Sequence, residues 1–344
     1  MSDSVRRDPI LDAVVRAGDP SSQGASTYRL AAAAVGEGRF EQAEELGRFT
    51  VEEARESLEL YPGFVTRAID FMLQEGVPPE TVRSEERRVL SLLTLPDGTP
   101  FDLQRGWSAY LASIEAFREA CRRGASAEAL RALEEARLEW QRTQDRACDW
   151  VYGVLDVCAR VLGEDRVGEA WDHMLAPLYP TRRKYDVAVR PWAELVEPLI
   201  VDAATSLRGH LSGPDRWGDV EIEEEEDRWI LRFDPCGSGG RTYRSEGDGT
   251  PPRMEPPYSF AVTTRKHDWA WNKEGICLYC AHCCLLQQRA PIRMLGYPVR
   301  VVEPPRWPSE AGAKCTWSVY KDPSLVPDEA YRQVGERPPG SVDE

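Results

Sequence analysis

The sequence predicts an α+β protein: an N-terminal all-α helical domain followed by a small, mainly antiparallel α+β domain with a cysteine-bearing helix. Three observations predict it. Apolar residues recur at helical spacing through most of the stretch from Ser26 to Leu211. Beyond Ser212-Gly-Pro-Asp215 the period changes to alternation, as in Asp219-Val-Glu-Ile-Glu223. Of the nine cysteines in 344 residues, four stand within Cys277-Leu-Tyr-Cys-Ala-His-Cys-Cys284. The division expected is a flexible N-terminus over 1–25, a helical domain over 26–212, an α+β domain with a Cys/His metal site over 216–321, and a Pro- and acid-rich tail over 322–344.

Taken in order, residues 1–25 are polar and rich in Ser, Asp and Gly, which predicts a loosely held segment. Tyr28, Leu30, Ala31 and Ala34 open a helix that Gly36-Glu-Gly38 separates from a second one reaching about Gly76. Pro78-Pro79 and the turn Pro96-Asp-Gly-Thr-Pro100 punctuate the next part. Phe101 to Arg123 places Leu103, Trp107, Tyr110, Leu111, Ile114 and Phe117 on one broad helical face. Ala125 to Leu162 is the longest helical pattern, with Ser126 and Glu128 as an N-terminal cap and Gly163 as the stop. Cys121, Cys148 and Cys158 sit singly on these helices and read as small buried hydrophobes. His173 and His210 are isolated and read as structural or surface histidines. A last helix runs from Pro191 to Leu211.

In the second half, Asp219–Glu223 and Trp229–Phe233 read as a hairpin joined by Glu224-Glu-Glu-Asp-Arg228. The acidic run alternates faces on a strand, so it does not converge on one cation. Ser259–Thr264, Tyr297–Val302 and Cys315–Tyr320 are further strand candidates. From about Lys321 the tail is expected to wrap the surface or stay disordered.

The formal charge is −15, from 43 Lys+Arg against 58 Asp+Glu. Such a surface repels phosphate backbones and anionic lipid, so neither nucleic acid nor membrane is expected as a partner. The first residues hold no apolar signal region, and no apolar run approaches the roughly 18–20 residues that cross a bilayer. The expected location is the cytoplasm. There thiols stay reduced, and a cysteine cluster reads as metal-binding or catalytic rather than as a disulfide framework. Oligomeric state is not legible.

The overlapping C-x-x-C units Cys277/Cys280 and Cys280/Cys283 are the strongest chemical signal. On a helix over 277–288, the rotation of about 100° per residue gathers Cys277, Cys280 and Cys284 on one face and turns Cys283 aside. In a knuckle, Cys277 and Cys280 form the close pair. In both cases Cys236 or Cys315 completes the site only if the loop after the second strand and the start of the last strand meet the cysteine segment. The expected ligand set is Cys236, Cys277, Cys280, Cys283, Cys284, His282 and Cys315. Zinc is the first choice, because thiolates with occasional imidazole suit it. An iron–sulfur cluster is the alternative, weakened by the missing proline after a further ligand. A metal-free redox dithiol comes third, since the βαβ surroundings of a thioredoxin-like motif are absent.

Asp234-Pro-Cys-Gly-Ser-Gly-Gly240 has a different character. Gly237, Gly239 and Gly240 let backbone N–H groups converge as an anion-binding nest. A cysteine there, Cys236, would be a nucleophile with His267 or His282 as base. The simpler reading is a tight turn that presents Cys236 as a ligand. The segment is not a phosphate loop, because no Lys-Ser/Thr follows the glycines. Trp269, Trp271, Tyr279, Trp307 and Trp317 either wall a small-molecule pocket or fill the core of a small domain.

The stretches Arg232-Phe-Asp-Pro-Cys-Gly-Ser-Gly-Gly-Arg241, Asp268-Trp-Ala-Trp-Asn272, Cys277–Cys284 and Cys315-Thr-Trp-Ser-Val-Tyr-Lys321 resemble a family of cysteine-rich bacterial proteins. The resemblance covers about a third of the chain. In layout the chain is remotely similar to the amino-thiazoline-carboxylate hydrolase group and to vinyl-reductase-type ligand-binding domains, which join a helical part to a small cysteine-bearing α+β part. The resemblance implies a small-molecule function and no particular substrate. The function expected is a metal-dependent enzyme of hydrolase or lyase type acting on a small polar molecule. The metal would polarise substrate or activate water, and Asp234, Asp268 or His267 would move the proton. Its alternatives are a small-molecule-binding or sensory module with a purely structural zinc, and an adaptor docking through its helices.

Overall fold

A computed structural model describes residues 4–95, 97–309 and 313–341. Met1–Asp3 of the expected N-terminal segment, Pro96 of the expected turn and Val342–Glu344 of the expected tail lie outside the described residues. Val5–Asp8 (β1) and Ala13–Arg16 (β2) form an antiparallel hairpin where a loose segment was the expectation. The anchor is Arg16, which is buried and donates to the carbonyl oxygens of Ser22, at 2.6 Å, and Ala25. Nothing in the polar composition of the segment signals those partners.

The helical half follows as α1 (Thr27–Gly36), α2 (Phe40–Gln74), α3 (Pro79–Leu92), α4 (Leu103–Arg122), α5 (Ser126–Leu162), α6 (Val167–Leu175) and α7 (Trp192–Gly209). Ser26 and Asp102 cap α1 and α4 by accepting the N–H groups of Arg29 and Arg105. The cap expected at Ser126 does not form. Ser126 is already helical, and the methyl side chain of the preceding Ala125 offers no hydrogen-bond acceptor. Gly163, at φ 97°, stops α5 as expected. The helices α3 and α6 were not legible as separate elements; α3 buries only Val82 and Val89 within its fourteen residues, too sparse a stripe to stand out.

Past α7 come β3 (Glu221–Glu224), β4 (Arg228–Phe233), α8 (Ala281–Cys283), α9 (Ala290–Leu295), β5 (Val301–Glu303), β6 (Cys315–Tyr320) and α10 (Asp328–Arg332). The strands form one antiparallel sheet in the order β3-β4-β6-β5. The expected strand at Ser259–Thr264 is reduced to a single bridge between Val262 and Cys277. The tail is held by burial of Tyr331 and Val334. Among the described residues no helix is long and apolar enough to cross a membrane.

The two long helices α2 and α5 run through both hydrophobic clusters. Their first halves pack with α1 and α4 around Leu46, Tyr110, Phe117 and Trp140. Their second halves share a continuous core with α6, α7, the sheet and the cysteine segment. That core crosses the turn at 212–215 without interruption. Polar groups stitch the same seam: Trp171 Nε1 donates to Leu278 O, Trp192 Nε1 to Tyr320 O and Tyr152 Oη to Ala261 O, each at 2.8 Å.

A buried ionic network fastens α5 to the segment after β4. Arg241 reaches Asp149 and Glu246, each at 2.6 Å, and Asp145 at 3.1 Å. Arg253 pairs with Asp149 and Glu246 at 2.8 Å, and Arg216 with Asp145 at 2.6 Å. Three guanidinium groups thus face three carboxylates, which is what lets so many charges stay out of water. Although burial alone would raise it, Arg241 and Arg253 bring the Glu246 carboxyl down to about 2. Its folded value lies below its unfolded one, so its stabilisation is full above about pH 4.5 and is lost as pH falls towards 2. The gap in melting temperature between the protein and Glu246→Gln, followed by circular dichroism, is therefore expected to be widest near neutrality and to close between pH 4.5 and 2.

Candidate metal centre

Strand pairing assembles the site. Cys315, the first residue of β6, lies opposite Phe233, the last of β4. The segment 234–240 therefore leaves β4 beside Cys315. Gly239 lets that segment close on the cysteine turn, since a Cβ there would stand 2.4 Å from Cys280 Sγ. Gly237 passes still closer to another backbone, where a Cβ would lie 1.7 Å from His210 O.

Cys236, Cys280, Cys283 and Cys315, together with His282, line one cavity of about 20 Å³, enough for a single water-sized sphere. Gly239, Gly240, Trp271, Trp317, Pro304 and Pro305 complete most of its wall, and no Asp or Glu is part of it. The loop after β4, the cysteine segment and the start of β6 all meet there.

The helical face that would gather Cys277, Cys280 and Cys284 does not form. Residues 277–280 make a turn, helix begins at Ala281, and it widens to π pitch over Cys284–Arg289. Cys280 and Cys283 therefore border the cavity, and Cys277 and Cys284 do not. Cys277 Sγ accepts the Thr242 hydroxyl at 3.6 Å, and Cys284 Sγ donates to Asp268 O at 3.4 Å.

His282 has a defined tautomer. Its Nδ1 lies 2.6 Å from Tyr279 O, an atom that only accepts, so Nδ1 carries the proton and Nε2 keeps its lone pair. That Nε2 is 3.3 Å from Cys283 Sγ and accepts its S–H. Burial brings the His282 imidazolium down to about 4 and pushes the Cys283 thiol far up, so the pair is neutral and not a thiolate–imidazolium nucleophile. Cys315 is pushed up by burial and then by its neighbours Cys236 and Cys283. Cys280 is held up by the neighbouring Cys277 thiol and by burial. Thiols crowded in this way ionise together only when a cation compensates them. Trp317 Nε1–H is buried without a hydrogen-bond partner and stands next to the Cys315 sulfur, whose ionised form it would stabilise. Among the described residues, no three His, Cys, Asp or Glu side chains stand, as placed, as a set able to hold a metal ion.

The expected proton-moving groups are engaged elsewhere. Asp234 pairs with Arg244, and Asp268 with Arg289 at 3.2 Å. His267 Nε2 meets Glu164 at 2.7 Å while its ring stacks on Trp269 at 4.6 Å. None of the three lines the cavity. The glycine nest is only partly available. Gly237 N–H donates to Ser212 Oγ and its carbonyl accepts from Arg216, whereas Gly239 and Gly240 face the cavity. Cys236 Sγ touches Ser238 Oγ at 3.2 Å, and Cys236 O accepts the Arg241 N–H at 2.9 Å. Sequence reasoning missed the support given by Arg241, Asp145 and Asp149. Part of the signal was present, since Asp149 interrupts the most apolar stretch of the longest helical pattern, whereas Asp145 stands in the polar run Gln141-Arg-Thr-Gln-Asp-Arg146 and gave none.

Comparison with known proteins finds no family model, no curated protein and no solved structure that matches the chain.

Proposed function

We propose that the chain is a zinc–thiolate protein in which Cys236, Cys280, Cys283 and Cys315 hold one ion at the junction of sheet and helices. The observation that carries this reading is the meeting of four thiols from three separate segments around one ion-sized cavity. Loading requires the thiols to turn about χ1 towards the cavity, a step between staggered rotamers. Four thiolates make a closed tetrahedral set, and an ion held so contributes folding energy directly. A cavity of this size suits a single ion; an iron–sulfur cluster on the same four cysteines requires the walls to move apart.

The number of donors favours a second reading, the small-molecule enzyme. Five groups border the cavity, one more than a tetrahedral ion holds, so the neutral His282 Nε2 is left to act as a base on a bound polar molecule. With Asp234, Asp268 and His267 turned away, His282 is the proton-moving group that this reading retains.

Titration of the metal-free, reduced protein with cobalt(II) tests the ligand set on which both readings rest. Four thiolates are expected to give intense thiolate-to-metal charge-transfer bands with tetrahedral d–d bands that do not change in the His282→Ala variant. Bands that shift in that variant would place the imidazole on the ion, and would remove both the four-thiolate set and His282 as a free base. Failure to develop such bands would remove both readings.

A further inference from the structure

We propose that Cys277 and Cys280 form a reversible disulfide that withdraws Cys280 from the ligand set, so that a peroxide releases the ion. The proposal rests on the four-cysteine metal reading above and adds a role for the thiol that this reading leaves out.

The geometry is that of a thiol shared between two partners. Cys280 borders the cavity on one side and, on the other, closes a backbone turn with Cys277 three residues before it. Cys277 lies behind the cavity wall, fully buried. The N–H of Cys280 donates to Cys277 O at 2.9 Å, closing a turn whose ends lie within about 7 Å in such turns. That span is within the reach of a disulfide. The sulfur of Cys277 is held among hydroxyl groups, with Thr242 Oγ1 at 3.6 Å and Tyr152 beside it, while its N–H donates to Tyr243 Oη at 2.6 Å. Cys283 also stands three residues from Cys280, but its thiol is turned to His282 Nε2, and that of Cys284 to Asp268 O.

The chemistry balances with hydrogen peroxide as the oxidant. The Cys280 sulfur attacks one peroxide oxygen, the O–O bond breaks, and a sulfenic acid and water result. The Cys277 sulfur then attacks the Cys280 sulfur. The S–S bond forms, the S–O bond breaks, and hydroxide leaves with the proton given up by the Cys277 thiol. In sum, two thiols and one peroxide yield one disulfide and two waters. A small dithiol reverses the step by thiol–disulfide exchange.

The test uses the full chain loaded with zinc and treated with hydrogen peroxide. Released zinc is followed with a colorimetric chelator, and bridges are mapped by mass spectrometry of a non-reduced digest. The unaltered protein is expected to lose its zinc, to show a Cys277–Cys280 bridge, and to reload after dithiothreitol and fresh zinc. Cys277→Ser, with Cys277→Ala in its place if serine is not tolerated, is expected to load zinc equally but to lose the recovery by dithiothreitol. There Cys280 has no resolving partner and oxidises further. A bridge mapping to Cys280–Cys283 or to Cys236, or a Cys277 variant that releases and recovers zinc as the unaltered protein does, would overturn the proposal. A chain that takes up no zinc at all would sink the metal reading separately, and the peptide map would still decide the bridge.

Discussion

Serine in place of Cys236, Cys280, Cys283 or Cys315 is expected to abolish tight metal binding, whereas Cys284→Ser is expected to retain it. The four border the cavity, whereas Cys284 does not and its thiol donates to Asp268 O. A hydroxyl is a poor substitute for a thiolate on a borderline-soft ion. Each of the four variants should therefore lose more than the roughly 10–100-fold in affinity that removal of an outer-shell partner costs. Because metal affinity is folding free energy when the site is absent from the unfolded chain, each should also melt at the temperature of the metal-free protein. Competition with a chromophoric chelator measures the affinity, and calorimetry the melting. A Cys284→Ser variant that loses the ion along with the others would place the site on the helical face that the structure does not form.

The second large effect is at Arg241. Its side chain is 1% exposed and serves Asp145, Asp149 and Glu246 together. Alanine there leaves three carboxylates with only Arg216 and Arg253 to compensate them. Breaking a buried pair of this kind costs about 3–5 kcal/mol. For a chain of this size that corresponds to a fall in melting temperature of roughly 5 °C. The effect reaches the site as well, because the Arg241 N–H donates to Cys236 O and the network fixes the segment 236–246 against α5. Arg241→Ala is thus expected to weaken metal binding without touching a ligand. Arg241→Lys keeps the charge but not the three-way fork, and should fall between the two. If Arg241→Ala melts like the unaltered protein, the network does not secure the loop.

Much of the fold was legible because its periodicities are long. The helices α2, α4, α5 and α7 each carry an apolar stripe over several turns, and the change to alternation near Asp219 marks the sheet. Short elements were not. The hairpin β1–β2 depends on Arg16 finding carbonyls six and nine residues away, a tertiary fact with no local pattern. Ser259–Thr264 has strand composition, yet its neighbour along the chain is a turn, so only the Val262–Cys277 bridge survives.

At the site, spacing identified a thiol cluster but assigned its faces through an ideal helix. The start of that helix at Ala281, and its π pitch from Cys284, exchange the faces. Cys283 thereby comes to the cavity, while Cys277 and Cys284 go behind it. The registry of β4 with β6, which sets Cys315 beside the loop of Cys236, is likewise invisible until strands are paired. Carboxylates near cysteines in the chain looked like proton carriers. In space each of Asp234 and Asp268 already has an arginine.

The most direct measurement is the metal content of protein purified without oxygen, taken together with its visible spectrum. The account predicts one zinc per chain and no visible absorption, with the zinc lost in the four serine variants. Iron with sulfide and a brown colour would contradict the single-ion site, and a protein free of metal would contradict the account as a whole.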